Sequence, residues 1–184
     1  MSPVQEQTPA VADAQAFKDA MALLAAPVSV VTTVDDTGRR WGFTASSVSS
    51  VSLSPPLVMV GIALTSSCHT PMSQAREFVI NVLDARHRNL AQRFAARGVD
   101  RFADGDFAAW QDGTGPQGPG QAGLPYLPGA KVLLRCRAVD AIRAGDHDLL
   151  LGTPLEIRTN SATAPPLLWY QRGFHTPVPS DHAG

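Results

Sequence analysis

Hydrophobic and polar positions along this 184-residue chain follow a helical period only briefly before the pattern turns to strands. Phe17, Ala20, Met21 and Leu24 fall at i, i+3, i+4 and i+7, one face of a short helix, and Pro27 ends it. Val28 to Val34 is a continuous β-branched run closed by the polar turn Asp35-Asp36-Thr37-Gly38. Arg40 to Ser46 answers it, so the pair reads as a hairpin. Val48 to Leu53 alternates apolar residues with serine until Pro55-Pro56 interrupts it. Leu57 to Leu64 reads as a strand buried on both faces, and Phe78 to Leu83 as a further strand. Asp84 can cap a helix from about Arg86 to Ala96, whose Leu90, Ala91 and Phe94 share a face. Trp110 to Pro128 is dense in Gly and Pro without a period, the pattern of a long surface loop. Two long strands follow, about Lys131 to Arg143 and His147 to Ile157, joined by Ala144-Gly145-Asp146, and Leu167 to Tyr170 is a final short strand.

Strands outnumber helices and succeed one another without βαβ alternation. The fold class is therefore mainly β: an antiparallel barrel or closed sheet with a few covering helices. No Gly-x-Gly-x-x-Gly follows a strand, which disfavours a doubly wound nucleotide-binding fold. Residues 1–14 read as a flexible polar tail, 15–175 as one domain and 176–184 as a second tail.

Composition narrows the function classes. Hydrophobic residues make up 44% and charged residues 17%, the balance of a globular domain able to bury a core. A net charge of -1 without a Lys/Arg block argues against nucleic acid, which needs clustered positive charge. Cys68 and Cys136 form no disulfide framework or metal spacing and suit a reducing compartment. The first residues lack the basic and apolar regions of a signal peptide, and no apolar run approaches the ~18 residues of a membrane span. The expected location is cytoplasmic, with no membrane contact.

Four stretches could carry chemistry, each with a plain structural use beside the functional one. Gly42 to Ser50 is rich in small and hydroxyl residues: a surface against which a flat ligand could lie, or a serine-rich turn. Thr65-Ser66-Ser67-Cys68-His69-Thr70-Pro71 offers hydroxyls and free N–H groups for a phosphate, or a helix cap. Gly145-Asp146-His147 places a histidine beside a carboxylate at a sheet edge, where it could hold a cofactor amide or serve only as a turn. Pro166 to Phe174 could wall a ring-binding cleft, with Arg172 near a phosphate, or be core packing. No nucleophile elbow, phosphate-binding Gly-Lys-Ser/Thr loop or His-Glu-x-x-His zinc motif is present, and the histidine spacing supports no metal.

Taken in order, these pieces resemble the flavin reductase-like family. The run from Val28 to Thr33, Gly42 to Val48, Ser49 to Val58, Phe78 to Leu83 with Leu90 to Ala95, Arg101-Phe102, Gly145 to His147 and Pro166 to Tyr170 carry the resemblance. It extends from about Phe17 to Phe174. The resemblance implies an FMN-binding split β-barrel, antiparallel and Greek-key-like, usually a homodimer with flavin near the subunit interface. It implies oxidation of NADH or NADPH with reduction of FMN or FAD, and supply of reduced flavin to a separate monooxygenase. Carried over by position, Thr44, Ala45, Ser46 and Ser47 would meet the isoalloxazine ring, and Ala63 would line the same pocket. Ser66, Ser67 and His69 would hold the flavin phosphate. Phe102 would lie against the flavin, Trp169 would help wall the pocket, and His147 would act on the nicotinamide side. Departures from the family pattern are Cys68 in place of a common threonine, Trp169 in place of a frequent tyrosine, and Pro154 within a strand that should be an edge there.

Hydride transfer between two cofactors asks the protein for placement more than for acid–base chemistry. The competing readings are a split-barrel oxidoreductase with tightly bound FMN acting on another acceptor, a non-enzymatic flavin carrier or sensor, and a small all-β interaction module.

Overall fold

A computed structural model describes residues 11–110, 123–160 and 164–178. Its framework is a seven-stranded antiparallel sheet. In chain order its strands are β2 (Ser29–Val34), β3 (Arg40–Ala45), β4 (Ser49–Leu53), β5 (Pro56–Ala63), β6 (Glu77–Val82), β9 (Val132–Ala144) and β10 (His147–Thr159). Their spatial order is β3-β2-β6-β9-β10-β5-β4. The two outermost strands are thus consecutive in sequence, joined only by Ser46-Ser47-Val48. The sheet curls until β3 comes against β5, beside β4, but among the described residues no ladder seals the seam. Ser47 bridges it instead: its Oγ accepts from Gly61 N–H at 3.0 Å and faces Gly61 O at 3.3 Å. This is a split, antiparallel β-barrel.

Burial explains why some strands are continuous apolar runs and others alternate. Strand β2 separates two cores, so both its faces are covered. Val31 points into the barrel with Phe43, Val60, Ile62, Phe78, Ile80, Cys136 and Leu150, while Val30 points outward beneath a covering layer with Val79 and Phe94. The expectation of two buried faces fails for Leu57 to Leu64. In β5 only Val58, Val60 and Ile62 are buried, because its outer face has no covering layer. Pro154 lies beyond Gly152, the last β10 residue paired with β5, so its missing N–H faces an unpaired side as expected.

Helix α1 (Ala14–Met21) is capped by Asp13, whose carboxylate accepts from Gln15 and Ala16 N–H. It ends well before Pro27, and its Phe17, Met21 and the following Leu24 are exposed. The five-residue α2 (His69–Ser73) closes one barrel end with buried Met72. Asp84 starts the next helical segment as expected, capping a 3₁₀ turn (Ala85–His87) that runs into α3 (Arg88–Ala95). Leu90, Ala91 and Phe94 of α3 are buried on the outer core.

The short strand expected at Leu167 to Tyr170 is present, and four further short strands lie outside the expectation. β1 (Ala26–Pro27), β11 (Leu168–Tyr170) and β12 (Gly173–His175) form a small sheet. The turn between β11 and β12 places Gln171 and Arg172 at positive φ of 47° and 59°, which matches strand twist in a two-residue hairpin. β7 (Ala108–Trp110) and β8 (Leu124–Tyr126) pair with each other, β7 ending where the stretch expected to be one long loop begins and β8 lying within that stretch. The middle of that stretch, 111–122, lies outside the described residues, as do 1–10 and 179–184 of the two expected tails.

Candidate functional site

Strand β5 ends at Ala63, and residues 64–68 turn the chain into α2. The turn is held by its own groups: Ser66 N–H donates to Ala63 O at 2.9 Å, and Ser66 Oγ accepts from Cys68 N–H at 3.2 Å. Leu64 N–H donates to Asp146 O at 3.0 Å, tying this loop to the β9–β10 turn. Arg101 reaches the same place from the loop after α3. Its Nη1 lies 3.1 Å from Gly42 O, 3.4 Å from Ser67 Oγ and 2.8 Å from Cys68 Sγ, and Nη2 donates to Ala96 O at 2.7 Å. Its Nε is buried and has no partner among the described residues. A guanidinium beside the Ser67 hydroxyl is a site for an anionic oxygen group. The sequence reading gave Arg101 no role; its only signal was position beside Phe102.

His69 is already engaged. Its Nε2 is 2.7 Å from Asp148 Oδ2, and Asp148 also accepts from Arg143 Nε at 2.6 Å. The Arg143 hydrogen bond, followed by that from His69, holds the Asp148 carboxyl below the usual carboxylate range. Only Nδ1 of His69 remains for another partner. Cys68 and Cys136 are buried free thiols, and burial pushes Cys136 up to about 12.

His147 opens β10 opposite Ala63. Its Nδ1 is 2.7 Å from Asp146 Oδ1, and that hydrogen bond holds the Asp146 carboxyl below its usual range. The imidazole is half exposed. β10 lies between β5 and β9, so His147 stands at a strand end and not at a sheet edge as expected.

Beside this region is a cavity of about 430 Å³. Thr44 of β3 and Ser46 just after it form one side, Gln92, Ala95 and Ala96 another, Trp169 and Phe174 a third, and Val28 also lines the cavity. The two aromatic rings meet edge to face with centroids 5.0 Å apart. Thr44 Oγ1 is committed to Ala91 O at 2.6 Å.

Of the residues named from sequence, Thr44, Ser46 and Trp169 line this cavity. Ala63, Ser66, Ser67, His69 and His147 gather around the end of β5. Ala45 turns its side chain into the barrel core, as strand alternation requires, so only its backbone is available outside. Ser47 is spent on Gly61. Phe102 packs edge to face on Phe94 and Phe107, at 5.1 Å from each, with the Arg40 guanidinium over its ring; the structure does not bring it to the cavity. Phe174 lies here with Trp169, in the stretch whose aromatics could wall a cleft, whereas Gln92, Ala95 and Ala96 were missed. The spacing of Gln92, Ala95 and Ala96, at i, i+3 and i+4, was a legible sign of one shared face.

The cavity could receive a flat ring, and Arg101 with Ser67 a phosphate attached to it. A profile for the flavin reductase like domain matches residues 21–177. The chain belongs to the flavin reductase-like family. It is 63% identical over 169 residues to the NADH:riboflavin 5'-phosphate oxidoreductase of Streptomyces pristinaespiralis, spanning 92% of this chain and 91% of that one. Among solved structures it superposes on the NADH:FAD oxidoreductase SgcE6 of Streptomyces globisporus C-1027, solved with NAD and FAD fragments. The TM-score is 0.80 at 26% identity, covering 92% of this chain and 95% of that one. The styrene monooxygenase flavin reductase of Pseudomonas putida S12 matches with a TM-score of 0.71 at 28% identity, covering 89% and 99%. This flavin reductase therefore shares the split barrel with other flavin reductases.

Proposed function

We propose that this flavin reductase uses NADH to reduce FMN and releases the reduced flavin to a separate monooxygenase. The observation that carries the reading is the junction between an anion-binding loop built on Arg101, Ser66 and Ser67 and a ring-sized cavity that begins at Ala96, whose carbonyl Arg101 holds. FMN is preferred over FAD and NADH over NADPH on the identity of the 63% relative.

The nicotinamide supplies the hydride and the flavin ring accepts it. The chain's own residues bind, orient and exclude water. Arg101 and the serines would anchor the phosphate, Trp169 and Phe174 would cover a ring face, and Thr44 to Ser47 would border it through backbone groups and the Ser46 hydroxyl. Asp146 fixes the His147 ring through Nδ1, leaving Nε2 to hold the nicotinamide carboxamide. Such placement can supply ~7–11 kcal/mol of the barrier, so no acid–base triad is needed.

The reductase acts as a cytoplasmic homodimer in this reading. Exposed Phe17 and Met21 on α1, Val51 and Leu53 on β4, and Val139 and Ile142 on β9 supply apolar surface for a second copy. The test is NADH and NADPH oxidation, followed by absorbance, with FMN, FAD or no flavin added. Flavin-dependent NADH oxidation is the expected result. A folded protein that binds flavin without oxidising either nucleotide would be a carrier instead.

A further inference from the structure

Most of the cavity wall is apolar or already satisfied. Val28, Ala95, Ala96, Trp169 and Phe174 present carbon, and the Thr44 hydroxyl is committed to Ala91 O. Two polar side chains remain there without a hydrogen-bond partner among the described residues: Ser46 and Gln92. Gln92 is the informative one, because a carboxamide donates through its nitrogen and accepts through its oxygen from one planar head. The ring edge complementary to it carries an acceptor and a donor side by side. The imide of a flavin, a carbonyl next to N3–H, has that pattern.

We infer that Gln92 is a specificity-determining residue that reads the imide edge of the flavin in this cavity. The inference rests on the reductase reading above and goes further by assigning the edge. Orientation follows from the helix. Arg101 marks the phosphate end and holds Ala96 O, and Gln92 lies one helical turn earlier on the same face. A flavin anchored at Arg101 therefore extends its ring along α3 toward Gln92. The alternative occupant, the nicotinamide carboxamide, is assigned elsewhere: His147 stands opposite Ala63 and does not line the cavity. Ser46, across the cavity on the β3 side, is placed to meet the same ring.

The test uses flavin fluorescence quenching, with FMN and FMN methylated at N3, on the wild-type protein and Gln92→Leu. Methylation removes the donor without changing the phosphate or the ring faces. Wild-type protein should bind FMN about tenfold more tightly than the methylated form. Gln92→Leu should lose about tenfold in FMN affinity, bind the two flavins within about threefold of each other, and keep its KM for NADH. Gln92 is exposed on α3 and its side chain bonds to no described residue, so the fold should survive. If the variant nevertheless fails to fold, the methylated flavin on wild-type protein tests the same edge. Equal wild-type affinity for both flavins would overturn the assignment, as would a Gln92→Leu variant that still discriminates. A raised KM for NADH with FMN affinity intact would overturn it too, giving the cavity to the nicotinamide. Wild-type protein that binds neither flavin would defeat the reductase reading itself.

Discussion

Replacing Arg101 with methionine removes a cation while keeping most of the side chain's volume. In the folded protein the guanidinium donates to Gly42 O at 3.1 Å and Ala96 O at 2.7 Å. Losing two such bonds should cost about 1–3 kcal/mol of stability, measurable as a lower urea midpoint. The larger consequence is for ligand binding. A charge-assisted hydrogen bond to a phosphate contributes about 1.5–3 kcal/mol, or roughly 10–150-fold in Kd. Riboflavin has the same ring and ribityl chain without the phosphate, so it should barely notice the change. Titrating flavin fluorescence with FMN and riboflavin separates the two effects. The expected outcome is a large loss for FMN alone, with Arg101→Lys intermediate, because lysine keeps the charge but not the planar fork. Equal losses for both flavins would mean that Arg101 only braces the loop, and an unchanged FMN affinity would place the phosphate elsewhere.

Other consequences are open to direct measurement. His147→Ala should raise the KM for NADH about tenfold while FMN binding, read by fluorescence, stays unchanged; an unchanged KM would remove His147 from the nicotinamide side. Gly152→Ala would place a Cβ 2.5 Å from Phe78 Cζ and 3.0 Å from Cys136 Cβ in the barrel core. That overpacking should cost about 1–3 kcal/mol by chemical denaturation. His87 accepts from Asp84 N–H through Nδ1, and burial, opposed by the Asp84 charge, lowers its pKa from 6.5. The unfolded chain therefore takes up a proton first. Its contribution is present above about pH 6.5 and fades as pH falls through the folded value, so the urea midpoint should drop from about pH 7.5 to about pH 5.5. His87→Gln, which can keep the capping contact without titrating, should flatten that drop.

Features that depend on neighbours in sequence were legible from the chain alone. The Asp84 cap, the β2–β3 hairpin and the turn at Ala144-Gly145-Asp146 each rest on short-range hydrogen bonds and backbone preference. The ordered motifs also carried the family and the split barrel. Features that depend on which layers meet were not legible. An apolar run looks the same whether one face is covered or two, so only the assembled barrel shows β5 half-buried and β2 fully buried. The strands β7, β8 and β12 are three residues each, too short for a period to declare them. The cavity joins β3, α3 and the β11–β12 hairpin, and Arg101 contacts Gly42, Ser67 and Ala96. Sequence could name Thr44, Ser46 and Trp169 as candidates. It could not place Gln92 among them or aim Arg101, because a side chain's partners across the chain are set by how the sheet curls.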